Sequence, residues 1–189
     1  MKEKKLNLTK EKVSFGTDGW RGILGVDFTL ERLLKVAAAA AQELAYVREK
    51  KNNKIIIGYD RRFLAEEMAE AVASSVRGVD LVPLLASSAL PTPSCSWGIV
   101  EESALGALVI TASHNPCEWL GLKIKGPFGG SVDSSFTDSV QKRLDAGGIS
   151  IPIEGATERV DFRKQHLLGI SQKFAVSYTH LTLPTNCVV

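Results

Sequence analysis

Two short stretches, residues 54–58 (KIIIG) and 105–111 (LGALVIT), are apolar without alternating polar positions. Such runs are long enough for strands buried on both faces, the situation of a sheet held between two helix layers. The segments around them carry the complementary pattern. Leu30, Leu33, Leu34, Ala37, Ala41, Leu44 and Val47 recur at three- and four-residue steps, with Glu31, Arg32, Lys35, Gln42, Glu43 and Arg48 mostly between them. They predict one amphipathic helix, with Thr29 placed as its N-cap. Leu64, Met68, Ala71, Val72 and Val76 predict a second helix, with Glu66, Glu67 and Glu70 on its other face and Gly78 at its end. Residues 79–85 then read as a strand, 91–100 as a helix opened by Pro91 or Pro93, 122–125 as a short strand and 135–145 as a helix. Strands separated by helices of this length predict an α/β fold with an α/β/α layered sheet.

The chain has 189 residues, room for one ordinary domain and the start of another. With 44% hydrophobic and 23% charged residues it can build a core, which excludes wholesale disorder. A net charge of +2 gives no field that would call for a nucleic-acid or membrane partner. Lys2, Lys4, Lys5, Lys10 and Lys12 cluster at the start, but Glu3 and Glu11 dilute them, and the segment reads as a solvated arm. No run approaches the roughly 18 apolar residues of a membrane span. Cys95, Cys117 and Cys187 show no metal-like or redox-like spacing, which favours a reduced, cytoplasmic setting. Residues 145–158 lose the periodicity and read as a linker, and a helical pattern resumes near Asp161. The division expected is a domain over 1–150, a linker and the opening of a second domain over 151–176, and a non-native tail over 177–189.

Three segments carry chemistry. Residues 15–22 (FGTDGWRG) place Arg21, a permanent cation suited to phosphate or carboxylate, among three glycines that permit tight turns. A glycine-rich turn with a surface arginine is the plainer reading. Residues 58–62 (GYDRR) stand at the end of a buried strand, where open α/β sheets place their ligands. There Asp60 and Arg62 either orient a phosphate-binding group or make a local salt bridge at a helix start. Residues 111–125 (TASHNPCEWLGLKIK) deliver Ser113 at the carboxyl end of a strand, followed by His114 and an Asn-Pro turn. Lys123 and Lys125 follow closely enough for a hairpin to return them to the serine. Two cations beside a serine suit phosphoryl chemistry better than ester hydrolysis, because the charge to be stabilised is larger and more spread. The G-x-S-x-G elbow of a hydrolase is absent. Taken alone, the segment is also compatible with a turn serine that merely caps.

FGTDGWRG, GYDRR, PTP at residues 91–93, TASHNP and GLKIK stand in this order and at these separations. Through them the sequence resembles the N-terminal domain of the α-D-phosphohexomutases, the phosphoglucomutase/phosphomannomutase superfamily, over about residues 14–150. The resemblance implies a three-layer domain around a small mixed sheet with one strand antiparallel to the rest. It implies that Ser113 carries a phosphoryl group between a hexose phosphate and a hexose 1,6-bisphosphate intermediate, interconverting 1- and 6-phosphates. It also implies that His114 contacts that phosphate, and that Arg21, Lys123, Lys125 and Arg62 form the phosphate-binding set. Lys123 is further implied in proton transfer at the sugar hydroxyl, which requires a lowered pKa.

The cofactor implied is Mg²⁺, with phosphorylated Ser113 as one ligand and three aspartates of a D-x-D-x-D motif as the others. No such motif occurs in these residues. The expectation is therefore a first domain that awaits the C-terminal domains of the same protein and is inactive alone. A non-catalytic phosphosugar-binding module on the same fold is the alternative. Residues 121–130 (GLKIKGPFGG) lean towards glucose and mannose enzymes. Two positions depart from the family pattern: Cys117 stands for the usual Pro, and Leu120 for the usual Asn of an Asn-Gly pair. If that pair makes a tight turn at positive φ, Leu120 strains it, and Leu120→Asn should raise the melting temperature.

Overall fold

The structure is a computed structural model that describes residues 13–16, 19–47, 52–147 and 151–178. Twelve elements follow in the order β1 Phe15–Gly16, β2 Gly19–Ile23, α1 Leu30–Val47, β3 Lys54–Tyr59, α2 Ala65–Arg77, β4 Val82–Ala86, α3 Thr92–Glu101, β5 Gly106–Ile110, β6 Trp119–Lys125, α4 Ser134–Ala146, β7 Glu158–Val160 and α5 Phe162–Tyr178. The strands form one mixed sheet in the order β1-β2-β6-β5-β3-β4-β7. β3 pairs in parallel with both β4 and β5, and β7 in parallel with β4. β6 runs antiparallel to β5 and β2, and β1 antiparallel to β2. Two strands, β6 and the two-residue β1, therefore oppose the other five, where the resemblance implied one.

The layering follows from the connections. β3 passes through α2 to β4 on one side, and β4 passes through α3 back across β3 to β5. Right-handed crossovers in opposite directions put α2 and α3 on opposite faces. α1 packs with α2 and α4, and α3 with α5, completing the two layers. Ile55, Ile56, Ile57, Leu108 and Ile110 are fully buried between them, as the apolar runs required. Thr29 caps α1 as expected, its hydroxyl accepting from the Arg32 amide at 3.4 Å.

Several boundaries differ for physical reasons. Residues 78–80 form a turn before β4, and although Gly78 caps the helix, it keeps right-handed geometry while Asp80 takes φ 60°. The glycine-rich segment is an antiparallel strand, β2, paired from Trp20–Leu122 to Ile23–Trp119. Gly19, at φ 127°, is required there: a Cβ would collide with the Leu122 carbonyl.

Leu120 overturns the expectation of a strained turn. It lies in β6 opposite Gly22, 1% exposed, and is not among the positive-φ residues. The non-glycine residue at positive φ in this segment is Ser113, at 56°.

Residues 151–160 lie across α2 rather than away from the domain. The Ile153 amide donates to the Ser74 carbonyl at 3.0 Å, and Arg77 donates to the Ile153 carbonyl and the Thr157 hydroxyl at 2.8 and 2.7 Å. Arg159 of β7 pairs with Glu66 and Glu70 of α2. Phe162, at the start of α5, is 1% exposed and fills the space beside Gly98 of α3, where a Cβ would come within 2.6 Å of its ring. The expected arm over residues 1–12, Thr17 and Asp18 of the glycine-rich motif, Cys187 and residues 179–189 lie outside the described residues. Among the described residues no helix is long and apolar enough to cross a membrane.

Candidate active site

The site forms at the carboxyl ends of β5 and β3. The chain leaves β3 for β4 on one side and reaches β5 on the other, so these neighbours flank the point where connections diverge, the usual ligand crevice of an open α/β sheet. β5 continues past Ile110 into a loop whose Thr111 and Ala112 are buried and whose Ser113 and His114 are exposed. The Thr111 hydroxyl accepts from the Ser113 amide at 3.0 Å, and the Asn115 amide donates to the Ala112 carbonyl at 3.1 Å. These bonds hold the loop in a tight turn that sets Ser113 at left-handed φ. A non-glycine residue there costs on the order of 1 kcal/mol, so the surrounding bonds must enforce it.

Arg21 reaches the loop from β2. Its Nη1 donates to Asn115 Oδ1 at 2.9 Å across 94 positions of sequence. Gly121, opposite Arg21 on β6, makes this approach possible, since a Cβ there would lie 2.8 Å from Arg21 Cγ and from the Thr111 carbonyl oxygen. Lys123 is half-buried two residues further along β6, opposite Val109. Paired and alternate strand positions share a face, which puts Lys123 and Arg21 on the same side of the sheet as diagonal neighbours.

Lys125 is placed differently. It pairs with Ala107, four positions beyond Gly121 along β6, or about 13 Å at strand rise. Its amine lies 3.3 Å from the Ser131 hydroxyl. It also sits close enough to Cys95 to oppose the effect of burial, which still pushes that thiol up to about 12. The hairpin thus carries Lys125 away from the serine end.

Arg62 faces the protein rather than the crevice. Its Nη1 donates to the carbonyls of Pro116 and Trp119 at 2.7 and 3.1 Å, and its Nη2 to those of Ser113 and Asn115 at 2.9 and 2.6 Å. Nε lies 3.4 Å from Asp60 Oδ2, while Asp60 Oδ1 accepts the Arg62 amide at 2.9 Å. The four Nη N–H groups are taken by these carbonyls, and the Nε side is turned to the Asp60 carboxylate, so the guanidinium has no free end to offer a phosphate in this arrangement. An open cleft of about 420 Å³ is lined in part by Arg62 itself with Tyr59, Asp60, Arg61 and Ser87. A wider one of about 680 Å³ lies between β1 and the start of α4 and touches none of these groups.

Residues 12–148 match the family model "Phosphoglucomutase/phosphomannomutase, alpha/beta/alpha domain I". The chain belongs to this family. Phosphohexomutase relatives include the phosphoglucosamine mutases of Mycobacterium marinum, 31% identical, and of Mycolicibacterium smegmatis, 32% identical, each over 92% of this chain. The chain spans about 40% of the length of these curated relatives. A crystal structure of a Thermus thermophilus protein assigned as a phosphomannomutase superposes with a TM-score of 0.77 at 29% identity, over 86% of this chain and 36% of that one. A Paramecium parafusin (phosphoglucomutase) structure shares the fold, with a TM-score of 0.64 at 17% identity over 85% of this chain and 36% of that one.

Proposed function

We propose that this phosphohexomutase domain carries a phosphoryl group on Ser113, in the interconversion of hexose 1- and 6-phosphates. The observation that supports it most is the exposed Ser113 held at φ 56° at the end of β5, with Arg21 fixed beside it through Asn115. In the forward step the free hydroxyl of the hexose phosphate attacks the phosphorus of phosphorylated Ser113. The bond from phosphorus to the serine oxygen breaks, and the hydroxyl proton leaves to a base as the serine oxygen regains one. The hexose 1,6-bisphosphate, turned over, returns its other phosphate to the serine. Arg21 stabilises charge on the group in transit, His114 contacts it from the exposed side of the loop, and Lys123 supplies a second cation and a site for the proton. Lys125 and Arg62, already engaged with Ser131 and with the loop carbonyls, act outside the transfer itself.

Mg²⁺ does not find a complete site in these residues. Among the described residues no three His, Cys, Asp or Glu side chains converge on a metal position, and Asp60 beside the loop is taken by Arg62. A phosphorylated Ser113 offers oxygens that a hard cation prefers, and the other ligands must come from elsewhere. In this reading residues 1–150 form the first domain of a longer enzyme, residues 151–176 lead into its second and 177–189 are a non-native tail. α5 runs two residues into that tail, to Tyr178. The remaining domains supply metal ligands and sugar recognition, so the chain alone turns over little substrate. The unpaired thiols Cys95 and Cys117 suit a reducing cytoplasm.

The test is intact-mass analysis, after incubation with glucose, mannose or glucosamine 1,6-bisphosphate, of a complete phosphohexomutase whose first domain is replaced by residues 12–148 of this chain. The reading expects one added phosphoryl group in the hybrid and none in its Ser113→Ala variant. No uptake from any of the three, with the hybrid folded, contradicts it and favours a module that only binds phosphosugars.

A further inference from the structure

We propose that Arg62 is a positioning residue that shapes the serine loop through its backbone carbonyls and makes no contact with the transferred phosphate. This rests on the proposed role of Ser113. Four carbonyl oxygens, of Ser113, Asn115, Pro116 and Trp119, converge on one guanidinium from a single seven-residue stretch. The Arg62 side chain is only 14% exposed, and it is oriented by Asp60, whose carboxylate holds both its amide and its Nε. The Asp60 amide in turn donates to the Ile110 carbonyl at 3.1 Å, which ties the end of β3 to the end of β5. The clamp is therefore anchored on the two central strands and grips the loop from beneath.

The chemistry of the donor explains the choice of residue. The four Nη N–H groups of a planar fork satisfy four carbonyls at once while its Nε side faces a carboxylate, which an ammonium with three donors cannot do. Drawing the Ser113 carbonyl onto Arg62 also turns the following peptide N–H, that of His114, the opposite way, because the two groups of a trans peptide are antiparallel. One side chain thus fixes the direction of the Ser113 carbonyl and of the His114 amide that follows it. The left-handed φ of Ser113 is the conformation this grip maintains.

The test makes Arg62→Lys and Arg62→Gln in two settings: hydrogen exchange at the Asn115 and Trp119 amides in the 189-residue chain, and phosphate uptake from glucose 1,6-bisphosphate in a complete phosphohexomutase whose first domain is replaced by residues 12–148 of this chain. Both variants should lower the maximal rate of phosphate uptake at least about tenfold, as misplacement of a reacting group does. The bisphosphate concentration for half-maximal uptake should stay within about twofold, since no Arg62 donor is lost to the ligand. Exchange at Asn115 and Trp119 should quicken at least about tenfold while β3 amides keep their protection, which separates the clamp from general unfolding. A rise in half-saturation at unchanged maximal rate would make Arg62 a phosphate ligand and overturn the proposal. So would full rescue by Arg62→Lys, or unchanged loop exchange. If the hybrid with Arg62 intact takes up no phosphate, the role of Ser113 fails, and the exchange measurement still decides the clamp by itself.

Discussion

Replacing Leu120 by asparagine separates the strand geometry of this loop from the tight-turn geometry that the Asn-Gly pattern suggests. Leu120 is 1% exposed in β6, opposite Gly22. Its neighbours on the same face of β6, Leu122 and Ile124, are equally buried. Removing a fully buried leucine side chain forfeits about 1.5–3 kcal/mol of transfer energy. An asparagine amide put in its place finds no partner among those apolar groups, which costs about 1–3 kcal/mol more. The loss, about 2.5–6 kcal/mol, is a large share of the 5–15 kcal/mol typical of a domain. For a chain of this length it corresponds to a fall in Tm on the order of 10 °C. Thermal unfolding followed by circular dichroism measures it, with Leu120→Met as a volume-conserving control that should cost less than about 1.5 kcal/mol. An unchanged or raised Tm in Leu120→Asn would mean that residue 120 sits in a strained turn, and the reasoning from β6 burial would fail.

Three further outcomes follow from packing and burial. Cys95 is fully buried with its thiol pushed up to about 12, while Cys117 is exposed in the serine loop, so iodoacetamide at pH 8 should label Cys117 and spare Cys95 in peptide maps of the folded chain. An unfolded thiol ionises near pH 8.5 whereas the buried one holds its proton, so Cys95 makes stability fall as pH rises from about 8.5 to about 12, and Cys95→Ala should flatten that part of the profile. Phe162→Ala should destabilise by about 3–5 kcal/mol and expose residues 151–178 to limited proteolysis, since Phe162 seats α5 against Gly98; equal protection in both proteins would contradict that docking.

The layers and the serine loop were legible because their signals are local. The buried runs at β3 and β5 and the helical spacing of α1 and α2 appear without knowledge of neighbours. β2 was hidden because Gly19 and Gly22 read as turn residues. Both are there because strands and a loop approach the backbone closely, a Cβ at Gly22 meeting Asp27 and Phe28. β7 was hidden because three residues give no periodicity and its pairing with β4 is distant in sequence. At Leu120 the family pattern suggests a tight turn, whereas strand pairing with Gly22 fixes the backbone there. Arg62 could be tied by sequence only to Asp60. Its four carbonyl partners lie 51–57 positions away and carry no side-chain signal, so spacing could not reveal them.

Phosphoryl carriage by Ser113 is tested most directly by turnover in a complete phosphohexomutase whose first domain is replaced by residues 12–148 of this chain. With the hybrid active, Ser113→Ala should abolish hexose phosphate interconversion, because no other group at the end of β5 replaces the lost hydroxyl. Retention of the full rate by that alanine variant would contradict the account at its root.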